Sequence, residues 1–198
     1  MAGILKVDQV QSDSNLAFAI AGSNVAFMNA TSLQMVGSNV SLAGTNVITN
    51  GKLVTAGMPV GSVLQVVSAI TSTEVSTSLA SYVDTGLTAS ITPRFSTSKI
   101  LVIVSHGTIT KSNGSANNRM ALKLMRGLTD LVAFGNGLLY TATALQNRGS
   151  ASFNYLDSPA TTSSVTYKTQ FANVDAGAEV QVQTNSSHSS ITLMEIAA

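Results

Sequence analysis

The stretch KILVIVSHGTI, residues 99–109, decides the fold of this chain. Its first half is an apolar run rich in β-branched side chains, which favour extended structure. Successive side chains of a strand point to opposite faces of a sheet. A strand that is apolar on both faces is typical of the centre of a two-layer β-sandwich. The two alternating sets are Ile100, Val102 and Val104 on one face and Leu101, Ile103 and Ser105 on the other.

Shorter alternating segments lie on both sides of this strand, and turn residues separate them. In residues 87–91 and 165–171, apolar and polar side chains alternate, which indicates strands with one buried face. Roughly eight to ten such strands predict an all-β fold, an antiparallel β-sandwich of the jelly-roll type. The other predicted strands are 63–70, 120–125, 131–134, 151–155, 180–183 and 191–193, and the predicted turns are 112–115, 135–137, 157–159 and 175–177.

The composition excludes several classes of partner. Only 10% of the 198 residues are charged, with 10 Lys and Arg against 9 Asp and Glu, whereas an ordinary soluble domain has roughly 25%. The 27 Ser and 22 Thr residues supply most of the polar surface instead. A net charge of +1 without a basic block gives no signature of nucleic-acid or anionic-lipid binding. The most membrane-like stretch, residues 16–30, is interrupted by polar residues and too short to span a bilayer, so no membrane insertion is expected.

The charges are unevenly distributed, and this divides the chain. From Ser14 to Gly51, 38 consecutive residues include no Asp, Glu, Lys or Arg. Pro and Gly then interrupt residues 57–61, after which charges return. We therefore predict an N-terminal attachment stem over residues 1–57, a joint at 58–61 and a C-terminal β-sandwich head over 62–198.

The predicted stem carries a Gly-Ser/Thr-Asn-Val pattern at residues 22–25, 37–40 and 44–47. Gly and Asn favour tight turns, so the pattern predicts short strands separated by turns. Uncharged strand edges aggregate unless something pairs with them. We expect several identical chains to intertwine about one axis here, with packing of the stem as extra strands on the head as the alternative. The side chains expected at these contacts are Leu16, Phe18, Ile20, Phe27, Met35, Leu42 and Ile48.

The chain offers little for catalysis. It contains no Cys and two His, of which His106 ends an apolar run and His188 lies in a polar turn. A hydrogen-bonded core histidine and a surface histidine are the ordinary explanations, and no Gly-x-Ser-x-Gly motif accompanies them. Asp175 and Glu179 share a loop, but their spacing does not match an EF-hand, and a β-turn is expected. We predict no catalytic residue, no metal site and no cofactor.

One group of polar and basic residues is a candidate contact surface. Four of the 10 Lys and Arg residues lie between residues 111 and 126, interspersed with Asn. As a functional surface this group would bind a host-surface glycan or an acidic polymer, and as an ordinary hairpin face it would only be solvated. Its members are Lys111, Asn113, Asn117, Asn118, Arg119, Lys123 and Arg126, with Arg148 as a further candidate.

Several segments of the predicted head resemble, in sequence and in order, the C-terminal domain of tail-fibre and head-fibre proteins of marine and cyanobacterial bacteriophages. The resemblance covers residues 61–198. The segments that carry it are GSVLQVV (61–67), TSLASYVDTGLTASITP (77–93), SKILVIVS (98–105), LMRG (124–127), YLDSP (155–159), TYK (166–168) and ITLMEI (191–196).

This resemblance implies a bacteriophage virion structural protein, a homotrimer with an N-terminal attachment stem and a β-sandwich head. Unlike in longer tail fibres, we expect no large adaptor domain before the stem of this chain. We expect a non-enzymatic short fibre on the virion surface that binds other virion proteins through residues 1–57 and a host glycan through its head. A capsid decoration protein that stabilises the shell is the alternative.

Overall fold

The computed structural model describes residues 39–42, 45–49, 52–53, 58–175 and 177–198. In the N-terminal part, β1 (Asn39–Leu42), β2 (Thr45–Thr49) and β3 (Lys52–Leu53) form an antiparallel sheet in chain order. Val40 lies opposite Ile48. Short strands thus occur at the second and third copies of the repeated pattern, and the three strands pair within one chain. The first copy, residues 22–25, lies outside the described residues.

The predicted contacts between stems fall mostly outside the described residues. Only Leu42, in β1, and Ile48, in β2, lie in described strands. Intertwining of several chains therefore stays a prediction. The other predicted contacts, all outside the described residues, are Leu16, Phe18, Ile20, Phe27 and Met35.

Ten further strands run from residue 63 to residue 196, and they confirm the all-β prediction. The sequence predicts nine of them, whereas β5 has three residues and gives no periodic signal. A short 3-10 helix, Thr184–Ser186, precedes the last strand. The strands are β4 (Val63–Thr71), β5 (Val75–Thr77), β6 (Val83–Ile91), β7 (Lys99–Lys111), β8 (Met120–Arg126), β9 (Thr129–Leu138), β10 (Asn147–Asp157), β11 (Val165–Asn173), β12 (Val180–Val182) and β13 (Ser189–Ile196).

These strands form two antiparallel sheets. In the large sheet, β7 pairs with β10 along one edge. Along its other edge, β7 pairs first with β13 and then with β12. β4 pairs with the far edge of β13, and β5 with that of β12. The small sheet has the order β6-β11-β8-β9. Numbering the eight long strands along the chain gives the orders 1-8-3-6 and 2-7-4-5, which are those of a jelly roll. The predicted jelly-roll sandwich is confirmed.

β7 is central in the large sheet, as its sequence predicts. Ile100, Val102 and Val104 point into the sandwich and are at most 1% exposed. The opposite face differs from the expectation for a strand covered on both sides, because Leu101 is half-buried and Ile103 is 39% exposed. The second apolar face of β7 therefore lies on the outer surface of this chain.

The core between the two sheets consists of two hydrophobic clusters. Leu193 of the large sheet packs with Leu87 of the small sheet in the first cluster. Ile109 and Phe171 occupy the corresponding positions in the second. Phe134 of β9 packs against both clusters. Burial of these side chains from both layers is the main favourable contribution to folding.

One predicted turn is wrong. Gly135, Asn136 and Gly137 lie inside β9, not between strands. The register between β8 and β9 shifts three times, and Gly137 is one of the extra residues that have no partner. Its φ of 98° suits glycine and is typical of a β-bulge. The same residue types favour turns and bulges, so the local sequence does not distinguish the two.

Gly107 of β7 makes a close backbone contact with the segment that precedes β13. A Cβ added at Gly107 would overlap the carbonyl oxygen of His188. A hydrogen bond from the Thr108 N–H to Ser187 Oγ (2.7 Å) holds the two segments together at this point. The backbones approach each other here because glycine has no side chain.

We expect Gly107→Ala to lower the free energy of unfolding by about 2 kcal/mol, as overpacking against backbone does. Urea denaturation would measure the change. Gly114→Ala is the control, since an added Cβ there would meet the Ala178 Cβ at 3.3 Å, a tight contact that a small shift relieves, and its effect should stay below about 1 kcal/mol. A Gly107→Ala variant with wild-type stability would contradict a close contact between these two backbone segments.

Candidate functional site

The seven predicted contact residues occupy the end of β7, the next loop and β8, and they do not share one surface. Lys111 is 0% exposed and Asn118 is 1% exposed, so the prediction of a solvent-facing role is wrong for these two. Asn113 and Asn117 are exposed on the loop. The remaining three, Arg119, Lys123 and Arg126, are half-buried, and the further candidate, Arg148, is exposed.

Lys111 and Asn118 are buried because they bind main-chain carbonyl groups. The Lys111 ammonium donates to the carbonyl oxygen of Thr143 at 3.0 Å. The Asn118 amide donates to the carbonyl oxygens of Ser112 (3.1 Å) and Glu179 (2.9 Å). A buried ammonium or amide group needs such partners. Both side chains therefore fix loops at one end of the sandwich.

Acidic side chains neutralise the other cations of the group. Arg119 and Arg126 contact carboxylates more than thirty residues away along the chain, and Lys123 contacts one on the next strand of its hairpin. The group consequently presents no concentrated positive charge, which argues against an acidic polymer as its ligand. The ion pairs are Arg119–Asp175 (2.9 Å), Lys123–Asp130 (2.9 Å) and Arg126–Asp157 (2.7 Å).

The Asp157 carboxylate links the two sheets. Asp157 ends β10 of the large sheet, and its Oδ2 accepts from Arg126 Nη1 (2.7 Å) and Tyr167 Oη (2.6 Å), both of the small sheet. Burial and the neighbouring carboxylate raise the pKa of Tyr167 well above its usual range, so its hydroxyl remains a donor. We interpret this cluster as a structural contact between the layers.

His106 belongs to a second buried polar cluster. Its Nε2 lies 3.2 Å from Thr169 Oγ1, which is 2.6 Å from Thr85 Oγ1. The ring stacks on Phe134 with 6.4 Å between centroids and is 1% exposed. Burial lowers the pKa of His106 to about 4. A general base must reach the proton that it removes, and packing closes His106 off from solvent.

The other candidate ligands lie apart or are engaged. His188 is exposed on the segment before β13. Asp175 pairs with Arg119, and Glu179 accepts from the Gln181 amide at 3.3 Å. Across residues 58–175 and 177–198, no three His, Asp or Glu side chains group closely enough to hold a metal ion. None of the helices in the described part of the chain has the length and apolarity needed to cross a membrane.

The outer surface of the small sheet is charged, and its charges pair within the chain. Asp84 accepts from Lys168 Nζ (2.9 Å) and from the Gln170 amide (2.6 Å). Burial favours a higher pKa for Asp84, but these two hydrogen bonds outweigh it and leave the pKa below its usual value. Lys123 lies on the same surface, with Nζ 4.3 Å from the centroid of the Tyr82 ring. We call this surface the charged face.

The outer surface of the large sheet carries an apolar row, a feature that the sequence analysis missed. Val66 of β4 lies opposite Met194 of β13, which lies opposite Leu101 of β7, and Leu101 lies opposite Leu156 of β10. Val66 and Leu156 are 54% and 50% exposed. Only the second apolar face of β7 signals this row in the sequence, because strand pairing brings the other three residues from distant positions.

No protein-family model matches the chain. No curated protein matches it either. Among solved structures, it is similar to a chain of T=1 particles derived from infectious bursal virus (TM-score 0.33, 11% identity) and to one of the Gt strain of infectious bursal disease virus (TM-score 0.30, 13% identity). A mutant VP2 protein of infectious bursal disease virus gives a TM-score of 0.31 at 11% identity.

These similarities cover 82%, 83% and 84% of this chain and 42%, 39% and 41% of the viral chains. The chain therefore spans about two fifths of their length. The similarity to these viral proteins is weak, and TM-scores at this level do not support an inference about function.

Proposed function

We propose that this chain is a non-enzymatic structural protein of a bacteriophage virion, a homotrimeric short fibre on the particle surface whose head contacts the host. The jelly-roll topology of residues 63–196 carries this proposal, because viral capsid and lectin domains use the same architecture. One fold serves many functions. The sequence resemblance and the chemistry of the surface are therefore needed as further support.

The resemblance to phage fibre heads falls on the framework of the sandwich. Its three longest segments, residues 61–67, 77–93 and 98–105, coincide largely with β4, β6 and β7. The final segment, 191–196, lies in β13, which pairs with both β4 and β7. These segments meet in space although they are distant in sequence. Because the similar segments lie in the framework of the sandwich, the resemblance supports a shared head fold more than a shared receptor-binding site.

The surface chemistry favours weak adhesion. The acids and bases of the candidate group pair with each other, and hydroxyl and amide groups make up much of the remaining polar surface. Such groups form hydrogen bonds to neutral glycans. Three heads on one fibre, and many fibres on one particle, would make individually weak contacts effective.

Deletion of the gene from the virus that encodes this chain tests the proposal. Without the fibre, particles should adsorb to host cells at least about tenfold more slowly, because multivalent contacts are lost. Supplying the gene in trans should restore adsorption. Immunogold labelling of wild-type particles should place the protein on the particle surface.

Three results would contradict parts of the proposal. Normal adsorption together with capsids that rupture at lower temperature would favour the decoration function. Release of new reducing ends from host-envelope polysaccharide by the purified protein would contradict a non-enzymatic role. A well-folded monomer at micromolar concentration in light scattering would contradict the trimer.

A further inference from the structure

The apolar row crosses four adjacent strands of the large sheet without interruption. The two residues at its centre, Met194 and Leu101, are partly buried, whereas the two at its ends, Val66 and Leu156, are 54% and 50% exposed. Cross-strand neighbours in register have side chains roughly 5 Å apart. The four side chains of the apolar row are therefore continuous across the outer surface, and we call them the strip.

On one side of this strip the neighbouring positions carry no charge, whereas on the other side the exposed Lys99 of β7, opposite Ile196 of β13, lies at its border. On the uncharged side, the next two rows across the same strands contain Ser, Thr, Asn and Ile side chains only, including Ile103 and Ile70, which are 39% and 68% exposed. Twelve outward positions in three rows thus include no Asp, Glu, Lys or Arg. On the charged face, by contrast, Asp84 pairs with Lys168 and Lys123 with Asp130.

From this asymmetry we infer that the outer surface of the large sheet packs against copies of itself around the trimer axis. A side chain near a rotation axis meets the same side chain of the neighbouring subunits. A charge at such a position would oppose like charges, whereas apolar and hydroxyl side chains meet without repulsion. The absence of charge is thus favoured for the part of the surface that lies at the axis, and solubility alone does not require it.

Chain continuity points to the same surface. β4 begins at Val63, two residues after the end of the predicted joint, residues 58–61, between the stem and the head. β4 is the strand that carries Val66 and Ile70. If the stems associate about one axis, the first strand of each head starts beside that axis. This inference rests on the proposed trimer and assigns the head its part in the interface.

Placing a carboxylate at either exposed end of the strip tests the inference on the full chain. Val66→Glu and Leu156→Glu put charges where three copies would meet, and both residues are half exposed in the single head, so folding should persist. We expect each variant to raise the dissociation constant of the trimer at least about 100-fold, since unpaired charges become buried. Ala133→Glu, on the exposed surface of the small sheet, is the control and should leave the trimer intact.

Sedimentation velocity gives the oligomeric state, and circular dichroism checks folding. A trimeric wild type with dissociated but folded Glu variants supports the inference. If the wild type is trimeric and the Glu variants stay trimeric, the inference is overturned but the proposed trimer is not. The stem would then hold the trimer, or residues 1–57 or another protein would cover the strip. A monomeric wild type overturns the trimer and the inference together.

A single engineered cysteine gives a second readout, because the chain contains no Cys. With Leu101→Cys at the centre of the strip, a short bismaleimide reagent should join copies of the chain into dimers on denaturing gels. Ala133→Cys should give monomers. Cross-linking of Ala133→Cys but not of Leu101→Cys would place the charged face at the axis and overturn the inference.

Discussion

Asp157→Ala is expected to lower the free energy of unfolding by about 3 kcal/mol, the low end for removing one partner of a buried ion pair. The carboxylate is 6% exposed and accepts from both Arg126 and Tyr167. Without it, the Tyr167 hydroxyl has no acceptor in a closed core, and leaving a buried donor unpaired is costly. The Arg126 side chain is 27% exposed and keeps access to water, which limits the loss. Urea denaturation at neutral pH measures the change.

The exposed ion pair of the charged face supplies a matched control. Asp84 and Lys168 are 2.9 Å apart, but the Asp84 side chain is 54% exposed, so Asp84→Ala should cost less than about 1 kcal/mol. A double-mutant cycle with Tyr167→Phe should give a coupling energy of at least about 1 kcal/mol between Asp157 and Tyr167. Equal losses from the Asp157 and Asp84 variants, or additive effects in the cycle, would contradict a role for Asp157 in linking the sheets.

A second large effect is expected in mild acid, where the fold should lose stability through His106. The pKa of His106 is about 4 in the fold, against an ordinary value of 6.5. The unfolded chain therefore binds a proton at a higher pH than the folded chain does. The contribution of the neutral ring is complete above pH 6.5 and falls as the pH drops from 6.5 to 4. Linkage gives a loss of about 2 kcal/mol between pH 7 and pH 5 and about 3 kcal/mol in all.

Comparison of two histidine variants isolates this effect. His106→Gln removes the titrating ring, so its stability should change by less than about 1 kcal/mol between pH 7 and pH 5. His188→Gln removes the exposed histidine and should keep the wild-type slope. The pKa values of Asp84 and Glu195 lie below their ordinary values, so these carboxylates lose their contribution only in stronger acid. The prediction would be contradicted if the free energy of unfolding of His106→Gln fell between pH 7 and pH 5 as steeply as that of the wild type.

The strands were accessible from the sequence wherever one face of a strand is buried. Residues 83–91 show this, because Leu87, Ala89 and Ile91 point inward and the residues between them are exposed. Residues 135–137 could not be assigned to a strand from the sequence, because the register shifts that keep them in β9 depend on pairing with β8. A bulge is a property of two strands, and one strand read alone does not reveal it.

Two members of the candidate contact group, Lys111 and Asn118, are buried for a related reason. The members of this group are close in sequence, but a strand alternates its faces and a loop reverses direction, so neighbouring residues separate into core and surface. Asp157 and Asp175, which neutralise Arg126 and Arg119, are more than thirty residues away along the chain. Charge along a sequence therefore does not give charge on a surface. Only the folded arrangement of strands and loops shows which cations are neutralised.

The sequence by itself determined that this chain is all-β, that residues 99–109 form a central strand, and that charge is absent from residues 14–51. These properties depend on side-chain alternation and composition, which are local. The tertiary structure alone decided which strands are neighbours in the jelly roll, the link through Asp157 between the sheets, and the apolar row from Val66 to Leu156. Each of these depends on the register between strands far apart in sequence, and that register is fixed only when the two layers pack together.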